Sequence, residues 1–240
     1  MKDSRGKDLY IIGAGGFGRE TVWLVEQINE VTPEWKICGF IDDNTELHGS
    51  KQDGYTVLGG CDYLLSQKKD YWVVCAVGSA KTRKKIIDKI SFFPQIHFAT
   101  VIDPDARISE RAFIGEGSII CAGNIITVDV RIGRHAIINL SCTVGHDAVL
   151  EDFVTLYPGA NISGNVTVGE ATEIGTGTKV IQGKKICSDT IIGAGAVVVK
   201  DIGESGTYVG VPAERKTRTD SSGMCVSSEI GFDAGDSAEY

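Results

Sequence analysis

Residues 132–156 read IGRHAIINLSCTVGHDAVLEDFVTL, and in them an aliphatic residue returns at every sixth place: Ile132, Ile138, Val144, Leu150 and Leu156. Followed outward in both directions, the register holds from Ile102 through Ile108, Ile114, Ile120 and Ile126, and on through Ile162, Val168, Ile174, Val180, Ile186 and Ile192 to Val198. A spacing of six matches neither the 3.6-residue helix nor the two-residue strand, so the stretch is a repeat architecture. Small residues usually stand two places before the aliphatic one, as at Ala106, Ser118, Ala136, Cys142 and Ala160. Large residue inward and small residue at the turn is the packing of a narrow prism, a parallel β-helix with three hexapeptides to each triangular coil. Glycines directly after the aliphatic residue, at 115, 133, 145, 169, 175 and 193, are expected to supply corners with positive φ.

The rest of the chain reads differently. Leu9–Ile12, Ile37–Ile41, Tyr71–Val77 and Ile96–Val101 are strand candidates, and Glu20–Ile28 and Lys81–Ile90 have helical spacing. Strands alternating with helices imply a small parallel α/β sheet. The expected organisation is an α/β plus all-β chain: a Rossmann-like domain over 1–98, a β-helix over 99–214, and a polar, Ser- and Gly-rich mobile tail over 215–240.

Composition narrows the function. The chain of 240 residues carries a formal charge of -8, which disfavours a nucleic-acid partner. No apolar run reaches the length of a membrane span, and the N-terminus lacks a secretory h-region, so a cytoplasmic protein is expected. Seven widely spaced cysteines without a C-x-x-C pair suggest neither a disulfide framework nor a structural zinc site.

Two motifs carry chemistry. Gly13-Ala14-Gly15-Gly16-Phe17-Gly18 matches G-x-G-x-x-G between a strand and a helix, with Asp42 and Asp43 at the end of the next strand. Such a turn holds a nucleotide diphosphate on exposed N–H groups; it also serves dinucleotides, and it occurs as a plain tight turn. The domain lacks a second βαβ half for a nicotinamide, which favours a single nucleotide. In the repeat, His146-Asp147 follows an inward Val144 and should emerge at the prism surface. It reads either as a general base with its carboxylate or as a solvated pair. His135, elsewhere in the repeat, reads as a surface histidine.

Together, NLSCTVGHDAVLEDFVTLYPGANISGNVTVG (139–169), GAGGFGRE (13–20), IDDN (41–44), IIGAGAVVVKDI (191–202) and VGVPA (209–213) resemble the sugar acetyltransferase family. That family includes the sialic acid O-acetyltransferases and the bacillosamine-pathway N-acetyltransferases. The resemblance spans residues 9 to about 214. It implies that the β-helix is left-handed and forms a homotrimer with active sites between subunits. Acetyl-CoA would be the co-substrate, and no metal is implied.

By the same resemblance, His146 is the general base and Asp147 its supporting carboxylate. Asn139 contacts the substrate, and Gly15, Gly16, Phe17, Asp42, Asp43 and Gly78 hold a UDP- or dTDP-linked sugar. Thr155, Gly164, Thr176 and Ala194 meet acetyl-CoA. The chain departs from the bacillosamine-type enzymes where they carry histidine, having Phe17 and Thr155 instead. The implied activity is N-acetylation of a nucleotide-linked amino sugar, such as a 4-amino-4,6-dideoxy sugar, in bacterial surface glycan synthesis. The alternatives are a sugar or sialic acid O-acetyltransferase and a non-catalytic trimeric nucleotide-binding scaffold. A zinc enzyme on the same kind of prism would need three histidines where this prism has two.

Overall fold

The computed structural model describes residues 6–216, together with the backbone pairing of 218–219 with 225–226. The tail expected over 215–240 lies almost wholly outside these described residues. No helix among them is long and apolar enough to cross a membrane.

The N-terminal part runs β1 (Lys7–Ile12), α1 (Gly16–Val31), β2 (Trp35–Ile41), β3 (Lys51–Gln52), β4 (Tyr55–Gly59), α2 (Cys61–Leu65), β5 (Tyr71–Cys75), α3 (Ala80–Ile90) and β6 (Ile96–Phe98). These strands form one sheet in the order β3-β4-β2-β1-β5-β6, parallel throughout except for β3. The hairpin of β3 and β4 and the short α2 are additions to the elements expected from spacing. Their signal, Thr56-Val57-Leu58 before Gly59-Gly60, is too short to separate from a loop. The chain passes from β1 to β2 on one side of the sheet and reaches β5 on the other, so the switch point lies at the carboxyl ends of β1 and β5. In open parallel sheets this is the crevice where ligands bind.

From Val101 onward the chain is the expected left-handed parallel β-helix. Two-residue strands pair with those 18 residues away, which makes each coil three hexapeptides and gives the prism three faces. The first face carries strands at 101, 119, 137, 155, 173 and 191, the second those at 107, 125, 143, 161, 179 and 197, and the third those at 113, 131, 149, 167 and 185. Every repeat aliphatic from Ile120 to Val198 is at most 2% exposed, in one continuous core. Ile102, Ile108 and Ile114 are only half-buried, because their coil is stacked on one side alone. Each Leu or Ile of the core is worth about 2–5 kcal/mol against Ala.

The corners correct one expectation. Gly115, Gly133, Gly145, Gly169, Gly175 and Gly193 do not have positive φ. At the first five, a Cβ would fall within 3 Å of the next coil's backbone, so glycine is required there by close approach. The left-handed positions come three residues after the aliphatic one, in an unbroken series every six residues from Gly117 to Gly195. Asp129, Ser141, Asp147, Asn165 and Asp189 belong to it, and Asn and Asp tolerate this conformation best among side chains with a Cβ. His135 (φ 54), Phe153 (φ 61) and Ala171 (φ 55) are the exceptional members, and all three lie on the corner between the third and first faces.

That corner and the first face carry the N-terminal sheet. Val101, Ile119, Cys121 and Ile137 on the first face join an apolar cluster with Val22 and Val25 of α1. At the corner, the His135 ring stacks on Phe153 (centroids 5.2 Å apart) and meets Phe98 edge-on at 4.7 Å. His135 is therefore buried, at 5% exposure, and not the surface residue its position in the repeat suggests. Burial, and secondarily the charges of Arg134 and Arg83, pull its pKa down to about 4. Lys84 adds a salt bridge to Glu170.

Candidate active site

At the carboxyl end of β1, Gly13 takes φ 99 and its N–H bonds to Ile41 O, turning the chain into α1. The four glycines of this turn answer to different constraints. A Cβ on Gly18 would collide with the carbonyl of Gly13, so helix and strand can meet only there without a side chain. Gly15 and Gly16 are exposed, and a Cβ on either would meet nothing within 4 Å. Protein packing does not demand glycine at these two places; a ligand approaching the backbone would. Phe17 is half-buried and packs on the α1 cluster.

Asp42, at the end of β2, accepts hydrogen bonds from Ala14 N–H (2.8 Å) and Asn44 N–H (2.9 Å). Its Oδ2 thus braces the glycine turn while Oδ1 holds its own loop, a role that spacing alone does not reveal. The neighbouring Asp43 accepts from Cys61 N–H at the start of α2. Gly78, beyond β5, completes this cradle across the switch point from Gly13, whose Cβ position lies 3.1 Å from Ala76 O. The prism side of the cradle is Tyr157, whose hydroxyl donates to Glu173 (3.0 Å), while the other oxygen of Glu173 accepts from Ala80 N–H at the start of α3. Asn139 lies one coil before Tyr157 on the same face, and its Oδ1 accepts from Leu140 N–H.

His146 lies on the corner between the second and third faces. Its Nδ1 is 2.8 Å from Asp147 Oδ2, and both side chains are about half exposed, at 51% and 52%. Asp147 occupies a left-handed corner position (φ 59), which turns its carboxylate back toward the ring of the preceding residue. With the Nδ1 proton shared with the carboxylate, Nε2 is the free acceptor. The ring lies over the Cα of Gly164 in the next coil, where any side chain would collide with Nε2.

The predicted residues fall in three groups. Gly15, Gly16, Phe17, Asp42, Asp43 and Gly78 gather at the switch point, with Asn139 on the first face that the same domain covers. His146, Asp147 and Gly164 share one corner. Thr176 and Ala194 are exposed in adjacent coils on another, between the first and second faces. Within one chain these groups are on different sides of the prism.

Thr155 does not fit its expected role. It is 1% exposed, donates to Gly78 O (2.9 Å) and accepts from Arg83 (2.9 Å). Its hydroxyl is therefore spent between the domains and is not offered to acetyl-CoA. Arg83 itself, 1% exposed, escaped sequence reading, because nothing in its helical spacing marks it from the lysines around it.

Residues 8–90 match the family model described as the PglD N-terminal domain. The chain is 32% identical over 187 residues to the GDP-perosamine N-acetyltransferase of Escherichia coli O157:H7, which covers 77% of this chain and 82% of that one. Among solved structures, the acetyltransferase domain of PglB from Neisseria gonorrhoeae superposes with a TM-score of 0.80 at 32% identity, covering 88% of this chain and all of that one. The same domain has been solved with acetyl coenzyme A. PerB from Caulobacter crescentus, solved with CoA and GDP-perosamine, gives a TM-score of 0.77 at 32% identity, covering 87% of this chain and 97% of that one.

Proposed function

The chain belongs to the hexapeptide-repeat sugar N-acetyltransferases, and from that premise we propose that it transfers acetyl from acetyl-CoA to the amino group of a nucleotide-linked amino sugar. The observation that carries this reading is the pairing of two half-sites: a glycine cradle open to a phosphate and an exposed His–Asp pair with a free Nε2.

In this reading residues 1–98 bind the nucleotide-sugar and residues 99–214 carry the transfer. Gly15 and Gly16 present backbone to the diphosphate at the N-terminus of α1, with Asp42 holding the turn and Asp43 and Gly78 forming the walls. Phe17 packs beside the nucleotide, and Asn139 faces the acceptor end. Acetyl-CoA supplies the acetyl group as a thioester. Gly164, beneath the His146 ring, and the exposed Thr176 and Ala194 line its path.

His146 Nε2 accepts the proton of the attacking amine while nitrogen bonds to the thioester carbon. The C–S bond then breaks and the thiolate leaves, taking a proton from the imidazolium. Asp147 holds the ring and stabilises its charged form. No covalent acyl-enzyme is needed.

The separation of the half-sites favours a threefold assembly, in which the His146 corner of one copy faces the cradle of the next. The family relatives solved with GDP-perosamine add GDP to the UDP and dTDP carriers to be considered. The same reading places the enzyme in the cytoplasm, where its product feeds surface glycan synthesis.

A thiol-release assay with acetyl-CoA and GDP-, UDP- and dTDP-linked 4-amino-4,6-dideoxy sugars tests the proposal. The expected result is thiol release with one carrier, and a product heavier by one acetyl group that resists mild ester hydrolysis. Thiol release with an alkali-labile product would mean O-acetylation, and silence across the panel would reject the activity.

A further inference from the structure

Arg83 of α3 is buried between the two domains, and each of its partners is a carbonyl or a hydroxyl. Its Nε donates to His135 O (2.9 Å). Nη1 donates to Val77 O (2.7 Å) and Gly78 O (3.0 Å), and Nη2 to Phe153 O (2.7 Å) and Thr155 Oγ1 (2.9 Å). Burial lowers its pKa to about 10, so it stays charged at neutral pH. A buried guanidinium without a carboxylate is a poor way to gain stability, since apolar side chains of similar volume do as well or better. What the planar fork adds is geometry: five donors in a rigid plane. Here the plane ties two carbonyls of the 77–78 segment to a hydroxyl and three carbonyls of the prism, the third being Val154 O at 3.5 Å. Thr155 closes the triangle by donating to Gly78 O.

Gly78 is the wall of the cradle nearest the prism, and its Cβ position lies 3.6 Å from the Tyr157 hydroxyl. Resting on the function proposed above, we propose that Arg83 is a positioning residue for the acceptor. It fixes the Gly78 wall against the β-helix and, with Thr155, sets how far the bound nucleotide-sugar reaches toward the catalytic histidine of the neighbouring copy. A shift of about 1 Å in such a wall is enough to cost on the order of 100-fold in rate.

The test uses full-length Arg83→Lys and Thr155→Val beside the wild type. KM for each substrate, kcat and the melting temperature are measured. Lysine keeps the charge but has a single donor head, so Arg83→Lys should raise KM for the nucleotide-sugar about tenfold or more and lower kcat. KM for acetyl-CoA should stay within about twofold. Thr155→Val removes one bond to Gly78 and should move the nucleotide-sugar KM in the same direction, by about threefold.

Loss of melting temperature with both KM values unchanged would reduce Arg83 to a structural residue and overturn the proposal. A Thr155→Val enzyme with raised KM for acetyl-CoA alone would overturn it too, by returning that hydroxyl to the thioester. If Arg83→Lys does not fold, Thr155→Val decides by the same KM comparison. Wild-type turnover on the amino-sugar nucleotide is measured first, so failure of the activity itself is told apart from failure of the Arg83 assignment.

Discussion

His135 and His146 stand eleven residues apart in the same repeat, each at a corner of the prism, and the fold has made opposite use of them. His135 is covered by the N-terminal sheet, pressed between two phenylalanines and held neutral by burial. His146 is half exposed, leans on a carboxylate and keeps one nitrogen free. The repeat fixes where side chains emerge; whatever packs over a corner decides whether an imidazole there is a structural aromatic or a proton carrier.

Four experiments press on that contrast, in falling order of expected effect. His146→Ala removes the proposed general base, and kcat should drop by roughly 10²- to 10⁴-fold with the melting temperature unchanged. An enzyme that keeps its turnover would erase the distinction between the corners.

The second concerns stability alone. In the unfolded chain an imidazole titrates near pH 6.5, and His135 in the fold near 4, so between these values the unfolded state takes up the proton and is favoured. The stabilisation from neutral His135 is full above pH 6.5 and lost on descending to 4, on the order of 3 kcal/mol at most. Denaturant unfolding at pH 7 and 4.5 reads this loss. Asparagine accepts the left-handed backbone of this position, so His135→Asn should flatten the dependence.

Gly164→Ala comes next. Its Cβ would displace the exposed His146 ring while leaving the coil intact, and the glycine is not at a positive φ. A fall in kcat of about tenfold at unchanged melting temperature is expected, smaller than deletion of the base because the ring is moved, not removed. The smallest effect belongs to Asp147→Asn. Asparagine tolerates φ 59 and can still accept from Nδ1–H, so only the charge is lost. A drop in kcat of a few-fold to about tenfold, with little change in KM, would match a supporting role.

Much of this could be read from the sequence, and the limits have physical causes. The β-helix was legible because Ile120 through Val198 must each fill a narrow interior at fixed intervals. Its left-handed corners lie two residues beyond the positions directly after each aliphatic residue, where glycine suggests them. The left-handed series is written instead in Gly117, Gly123, Asp129, Ser141, Asp147 and Asn165, a second six-residue register. The cradle residues were legible from the glycine turn and its acidic partner strand, although not the division by which Gly18 serves packing and Gly15 and Gly16 leave space. Arg83, Thr155 and His135 were beyond reach for a common reason. Their burial comes from one domain lying on another, and no periodicity within either encodes that contact.

The central claim is that the His146 corner of one copy completes the glycine cradle of another. Mixing two inactive proteins tests it most directly: His146→Ala, with an intact cradle, and Gly16→Trp, which blocks the cradle but keeps His146. After subunit exchange, the account predicts that thiol release returns in the mixed oligomers, because some interfaces pair an intact histidine with an intact cradle. Mixed oligomers that form, as judged by mass, yet stay as inactive as either parent would contradict it.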